Sequence, residues 1–117
     1  MSDLVLTEPQ ILDVSHNEDE VVLTLFLGAD LDYFKGHFPG APILAGVVQL
    51  DWAVKYARKY LAIKGDVKDI EVLKFQVVMT PELELTLTLT KKKEDKFSFS
   101  YQSNKGQHAS GRVVVAS

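Results

Sequence analysis

Glu82-Leu83-Glu84-Leu85-Thr86-Leu87-Thr88-Leu89-Thr90 puts every leucine on one face of an extended chain and every polar residue on the other. A period of two is that of a strand in an antiparallel sheet with one packed and one wet face. The flanking sequence continues the theme. After a charged turn, Lys91 to Lys96, the residues Phe97, Phe99 and Tyr101 alternate with Ser98, Ser100 and Gln102, which predicts a hairpin partner. Asn104-Lys105-Gly106 supplies a tight turn. Arg112 to Ala116 then reads as a closing, valine-rich strand. Upstream, Val21 to Leu27 and Glu71 to Met79 are further strands, with a weaker edge strand over Ile11 to Val14.

One segment breaks this pattern. Between Ala45 and Ile63 the apolar positions Val47, Leu50, Val54, Ala57 and Leu61 recur at steps of three and four, predicting a helix with those residues as its core-facing stripe. Gly65-Asp66 is expected to end it. The order is strands, an irregular loop, one long helix, then several antiparallel strands. That is an α+β domain spanning 1–117, one helix laid on one antiparallel sheet. Such a sheet leaves edges and apolar surface for a second copy to cover, so a homodimer or larger homo-oligomer is expected.

The bulk properties narrow the function. A hydrophobic fraction of 46% and a charged fraction of 25% over 117 residues describe an ordinary globular domain rather than a disordered chain. The net charge of -3 argues against nucleic-acid binding, which needs a dense basic face. With no cysteine, disulfides, thiolate metal sites and a cysteine nucleophile are all ruled out. Met1-Ser2-Asp3-Leu4-Val5 has no basic stretch leading into a long apolar one, and no apolar run approaches the ~20 residues a membrane span needs. A cytoplasmic location without membrane insertion is the expectation.

The chemistry concentrates in Gly36-His37-Phe38-Pro39-Gly40-Ala41-Pro42-Ile43-Leu44-Ala45-Gly46-Val47-Val48-Gln49-Leu50-Asp51. Glycines and prolines at 36, 39, 40, 42 and 46 fix an unusual loop. Phe38, Ile43 and Leu44 give His37 an apolar neighbourhood, which disfavours the imidazolium and leaves a neutral base near pH 7. Asp51 falls on the same helix face as Val47 and Val54, where a carboxylate is costly unless paired or protonated. It either pairs with Lys55 or reaches solvent at the helix edge, or else serves as an acid with a raised pKa. Gly46 opens the helix, offering free N–H groups and the positive dipole end to a developing oxyanion. A base, an acid and an oxyanion site together describe proton abstraction next to a carbonyl with loss of a β-hydroxyl.

These residues resemble a known family. His37-Phe38-Pro39-Gly40, Pro42, Gly46-Val47 and an acid fourteen positions after the histidine look like the signature of the β-hydroxyacyl-acyl carrier protein dehydratases (FabA/FabZ), and Lys74-Phe75-Gln76 with the 83–90 strand resembles the family's middle strands. The resemblance implies the hotdog fold, with a sheet wrapped round one long helix. It implies catalysis by His37 and Asp51 drawn from different subunits, with Phe38, Gly46 and Val47 contacting substrate. Dehydration of a 3-hydroxyacyl-[acyl carrier protein] to the trans-2-enoyl product would need no cofactor beyond the carrier's own phosphopantetheine arm, and no metal. An acyl carrier protein is acidic, so Lys35, Lys55, Arg58 and Lys59 are the expected docking cations. The sequence departs from the pattern at Ala45, where the family usually has proline, and at Thr80-Pro81-Glu82, where it usually has a Pro-Gly-Asp turn. Its compactness, the aspartate and His108-Ala109-Ser110-Gly111-Arg112 resemble the small dehydratases of aryl polyene pigment clusters. Two other readings share the fold: a hotdog acyl thioesterase, and a non-catalytic subunit of a dehydratase complex.

Overall fold

The computed structural model describes residues 7–31, 34 and 43–116. Six strands and one helix follow in the order β1 (Gln10–His16), β2 (Glu20–Leu27), α1 (Gly46–Leu61), β3 (Val67–Phe75), β4 (Leu83–Lys93), β5 (Lys96–Ser103) and β6 (Gly106–Val115). The strands form one antiparallel sheet in the order β1-β2-β4-β5-β6-β3, so β1 and β3 are its edges. The helix packs across β2 and β4. This is the expected hotdog arrangement. No described helix is long and apolar enough to cross a membrane.

The alternating leucines explain the core. Leu23 pairs with Leu87 and Leu25 with Leu85, while Leu87 faces Tyr101 and Leu89 faces Phe99. Residues directly opposite in a sheet share a face, so this register gathers one apolar surface under the helix. Val21, Leu23, Leu25, Leu27, Leu87 and Leu89 are buried there, as are Phe97 and Tyr101. Gly111 stands opposite Phe99, and a β-carbon on it would come within 2.9 Å of that ring. The Tyr101 hydroxyl crosses the core to donate to the Gln49 carbonyl at 2.6 Å, and the Trp52 indole N–H donates to the Thr7 carbonyl at 3.1 Å.

Several boundaries differ from the sequence expectation. The third strand is Val67–Phe75 rather than 71–79, and Gln76 and the apolar residues 77–79 lie beyond its end. The last strand begins at Gly106, well before Arg112. The helix ends at Ala62, whose left-handed φ of 56° lets its N–H cap the Ala57 carbonyl; Gly65-Asp66 comes later. The largest correction concerns the helix face. Val54, Ala57 and Leu61 are buried as expected, but Val47 is 73% exposed, and Gln49, Trp52, Ala53 and Tyr56 complete the core side.

Tyr56 is buried with no hydrogen-bond partner for its hydroxyl. Burial, with Glu8 and Tyr60 adding, holds its phenol above the usual range, and burial does the same for Tyr101. A tyrosine pKa raised by folding leaves stability intact below about pH 10. Above it the unfolded chain ionises first, and each such group removes about 1.4 kcal/mol per pH unit until the folded pKa is reached. Tyr56→Phe should therefore raise stability at pH 7 by about 1 kcal/mol, because an unpartnered hydroxyl is removed without loss of shape. It should also flatten the decline above pH 10. Thermal unfolding at pH 7 and pH 10.5 checks both effects; a lowered midpoint at pH 7 would mean that the hydroxyl has a partner.

Candidate active site

The helix start is chemically open. Ala45 occupies the N-cap with extended backbone and no side-chain cap, and no acidic residue lies in the first turn. Val48 and Gln49 donate to the Ala45 carbonyl at 3.1 and 3.2 Å, while the N–H groups of Gly46 and Val47 have no acceptor among the described residues. Two unused donors at the positive end of a sixteen-residue helix form a site for negative charge on oxygen. The absence of a side chain at Gly46 has a specific cause: a β-carbon there would lie 2.7 Å from the Phe75 ring.

A cavity of about 320 Å³ opens beside these donors, between residues 43–46 and Gln49 on one side and residues 75–78 on the other. Its two walls are tied by the Leu44 N–H, which donates to the Met79 carbonyl at 2.9 Å. The second wall is also held from behind by His108, which is 1% exposed. Its Nδ1 lies 3.0 Å from the Val77 carbonyl, and its own carbonyl accepts from the Gln76 N–H at 2.8 Å. A carbonyl can only accept, so Nδ1 is the donor and Nε2 accepts from the Ser103 hydroxyl at 2.6 Å. The place of His108 at an irregularity in the β5–β6 pairing explains why it is buried.

Asp51 is exposed and has no ion pair or hydrogen bond among the described residues. Lys55, its expected partner, pairs with Glu8. At 100° per residue Asp51 stands about 200° from Gln49 around the helix, so the acid points away from the cavity of its own chain. It lies instead on the side of exposed Val47, at a shallow depression shared with Val54, Lys55, Arg58 and Lys59. Of the expected site residues, the fold thus joins Gly46 and its cavity but sets Asp51 apart from them. His37, Phe38 and Lys35 lie outside the described residues.

Gln49 and Phe75 line the cavity and were not among the expected site residues. Phe75 was visible only as part of a strand. Gln49 interrupts an apolar helix segment, and a polar residue on a buried face is the one signal that marks it.

Comparison with known proteins agrees with this geometry. The family model of the ApeI dehydratases, ApeI-like, matches residues 13–112. No curated protein sequence matches the chain. Among solved structures, a chain of the dehydratase heterocomplex ApeI:P from Xenorhabdus doucetiae is 30% identical with a TM-score of 0.86, covering 94% of this chain and 99% of that one. An uncharacterized protein from Erwinia carotovora subsp. atroseptica is 34% identical with a TM-score of 0.80, covering 93% and 96%. The helix that opens on Gly46, the single wrapped sheet and the extent of the match lead to one assignment: the chain belongs to the ApeI-like dehydratase family.

Proposed function

We propose that the protein removes water from 3-hydroxyacyl thioesters carried on an acyl carrier protein, giving the trans-2-enoyl thioester in fatty acid or polyene assembly. The observation that carries this reading is the pair of unused N–H groups at Gly46 and Val47 opening onto a largely apolar cavity. The thioester carbonyl would accept from those donors, which stabilises the charge that develops when a C2 proton leaves. Neutral His37 takes that proton. Asp51 acts as the acid, giving a proton to the C3 hydroxyl; the C3–O bond breaks, and water departs as the C2–C3 double bond forms. The acyl carbonyl and the thioester bond are unchanged, so no oxidant or reductant is consumed.

The outward aim of Asp51 supports a site shared between subunits, with the acid of one chain serving the cavity of another. The edge strand β3 is suited to the join. Val72 and Phe75 on it, and Val78 just beyond, are each at least half exposed, a concentration of apolar surface that a single chain leaves uncovered. The partner is a second copy or a related hotdog subunit; the similar chain from X. doucetiae is part of a heterocomplex. For the carrier protein, the described candidates are Lys55, Arg58 and Lys59, each of which already has a contact within the chain: Lys55 with Glu8, Arg58 with the Gly65 carbonyl and Lys59 over the Tyr60 ring.

The test is mass spectrometry of a 3-hydroxyacyl-carrier protein incubated with the protein, with free thiol followed in parallel. Loss of one water with no thiol release is expected. Thiol release would identify a thioesterase instead. Turnover only on addition of a related hotdog subunit would make this chain one half of an obligate heteromer. If neither product formed under any of these conditions, the catalytic reading would be wrong.

A further inference from the structure

Gln49 is 4% exposed and sits on the core side of the helix, one turn from its start. Its amide orientation is fixed, since Nε2 donates to the Leu44 carbonyl at 3.1 Å, and the reverse orientation would set two oxygens against each other. The consequence is that Oε1 is sealed from solvent with no hydrogen-bond partner. A buried acceptor left in this state is costly, and such groups in folded proteins call for an explanation. The bond to Leu44 uses only the amide nitrogen, so it accounts for a polar side chain here but not for the unpartnered oxygen. Gln49 also lines the cavity beside Gly46, whose other side chains are apolar apart from the exposed Gln76, and Gln49 Oε1 is the one buried acceptor there without a partner.

A greasy cavity with one unpartnered acceptor fits an acyl chain bearing one O–H donor. Building on the dehydration reading, we propose that substrate entering the cavity uncovers Gln49 Oε1, which accepts a hydrogen bond from the C3 hydroxyl, making Gln49 the residue that distinguishes 3-hydroxyacyl chains from chains without the hydroxyl. The enoyl product lacks that donor. Its formation leaves Oε1 unpartnered again, so the same contact that favours substrate weakens the hold on product. During elimination the departing oxygen receives a proton from the acid while its original hydrogen stays directed at Gln49. The residue thus orients the leaving group and donates nothing to it.

The contact can be measured without turnover by using pantetheine amides, whose C2 protons are far less acidic than those of thioesters. Three ligands of equal chain length are compared on the native assembly: 3-hydroxyacyl, 3-fluoroacyl and saturated acyl. Fluorine matches the hydroxyl in size but cannot donate. Wild-type protein is expected to bind the hydroxy ligand about tenfold more tightly than either of the others. In Gln49→Met, which also loses the tie to the Leu44 carbonyl, the three should agree with one another within about twofold whatever their common affinity. The fluoro comparison on wild-type protein stands even if the variant does not fold. Equal binding of all three ligands to wild type would overturn the role of Gln49, as when a permanent water occupies Oε1, and would leave dehydration itself untouched. Binding of none, together with no water loss from the carrier-linked substrate, would bring down the dehydration reading as well.

Discussion

Asp51→Asn is expected to lower the dehydration rate by about 10²–10⁴-fold while leaving the fold as stable as wild type, because the amide keeps the carboxylate's shape but has no acidic proton to give. The stability half of this follows from the structure. Asp51 is exposed and makes no ion pair or hydrogen bond among the described residues, so its substitution should change stability by less than about 0.5 kcal/mol. A fall in rate with an unchanged thermal midpoint therefore separates a chemical role from a structural one. His37→Ala should cost a similar factor. The outward aim of the acid adds a sharper check. If each site takes its histidine from one chain and its aspartate from another, mixing the two inactive variants rebuilds one intact site in every mixed dimer. Random reassembly would then restore about a quarter of wild-type activity. No recovery on mixing would place both residues in one chain's site, and full activity in Asp51→Asn would remove it from the reaction.

The ease with which the sheet can be read, set against the errors on the helix, has a physical origin. Residues 83–89 alternate without exception because β4 lies mid-sheet with one wet face and one face under the helix. The edge strand β3 offers no such signal: most of its residues are exposed on both faces, and the apolar 77–79 that follow it resemble a strand more than its own sequence does. The start of β6 is hidden for a different reason. His108, Ala109, Ser110 and Gly111 are small or polar, and the aromatic rings of β5 fill the space beside them, as the approach of Phe99 to Gly111 shows. The helix carries apolar residues on two sides. The expected stripe is buried at Val54, Ala57 and Leu61 and half-buried at Leu50, but the buried face also takes in Gln49, Trp52 and Tyr56, whose polar atoms hide them from a hydrophobicity pattern, and it leaves Val47 out.

The candidate site divides in the same way. Glycine at 46 and the acid at 51 are legible because helix spacing links them to the loop that carries His37. The cavity is not, since its second wall arrives from residues 75–78, about thirty positions away, held in place by the buried His108. A lone histidine in a strand gives no hint of that function. Its two ring bonds, to Ser103 and to the Val77 carbonyl, exist only because the β5–β6 irregularity turns the side chain inward.

Gly46→Val offers the strongest test of the cavity, since two opposing effects can be weighed in advance. Removing glycine from the helix favours folding by roughly 0.5–1 kcal/mol, less in valine than in alanine because of its branched β-carbon. Against this, the new β-carbon would lie 2.7 Å from the Phe75 ring, closer than real contacts allow. The ring is half exposed and can swing aside, so the overpacking cost should sit near the lower end of the usual 1–3 kcal/mol, and the net change in stability should be about 1 kcal/mol or less. Activity has no such compensation. The valine side chain and the displaced ring both enter the 320 Å³ cavity beside the N–H groups of residues 46 and 47, where misplacing a bound carbonyl by about 1 Å costs on the order of 10²-fold. The expected result is a nearly unchanged thermal midpoint with kcat/KM for the 3-hydroxyacyl thioester reduced about a hundredfold. Phe75→Ala in the same background should give back part of the loss, because it removes the ring that the valine displaces. A folded Gly46→Val protein with undiminished kcat/KM would show that the acyl group binds elsewhere, and the shallow depression beside Asp51 would become the place to look.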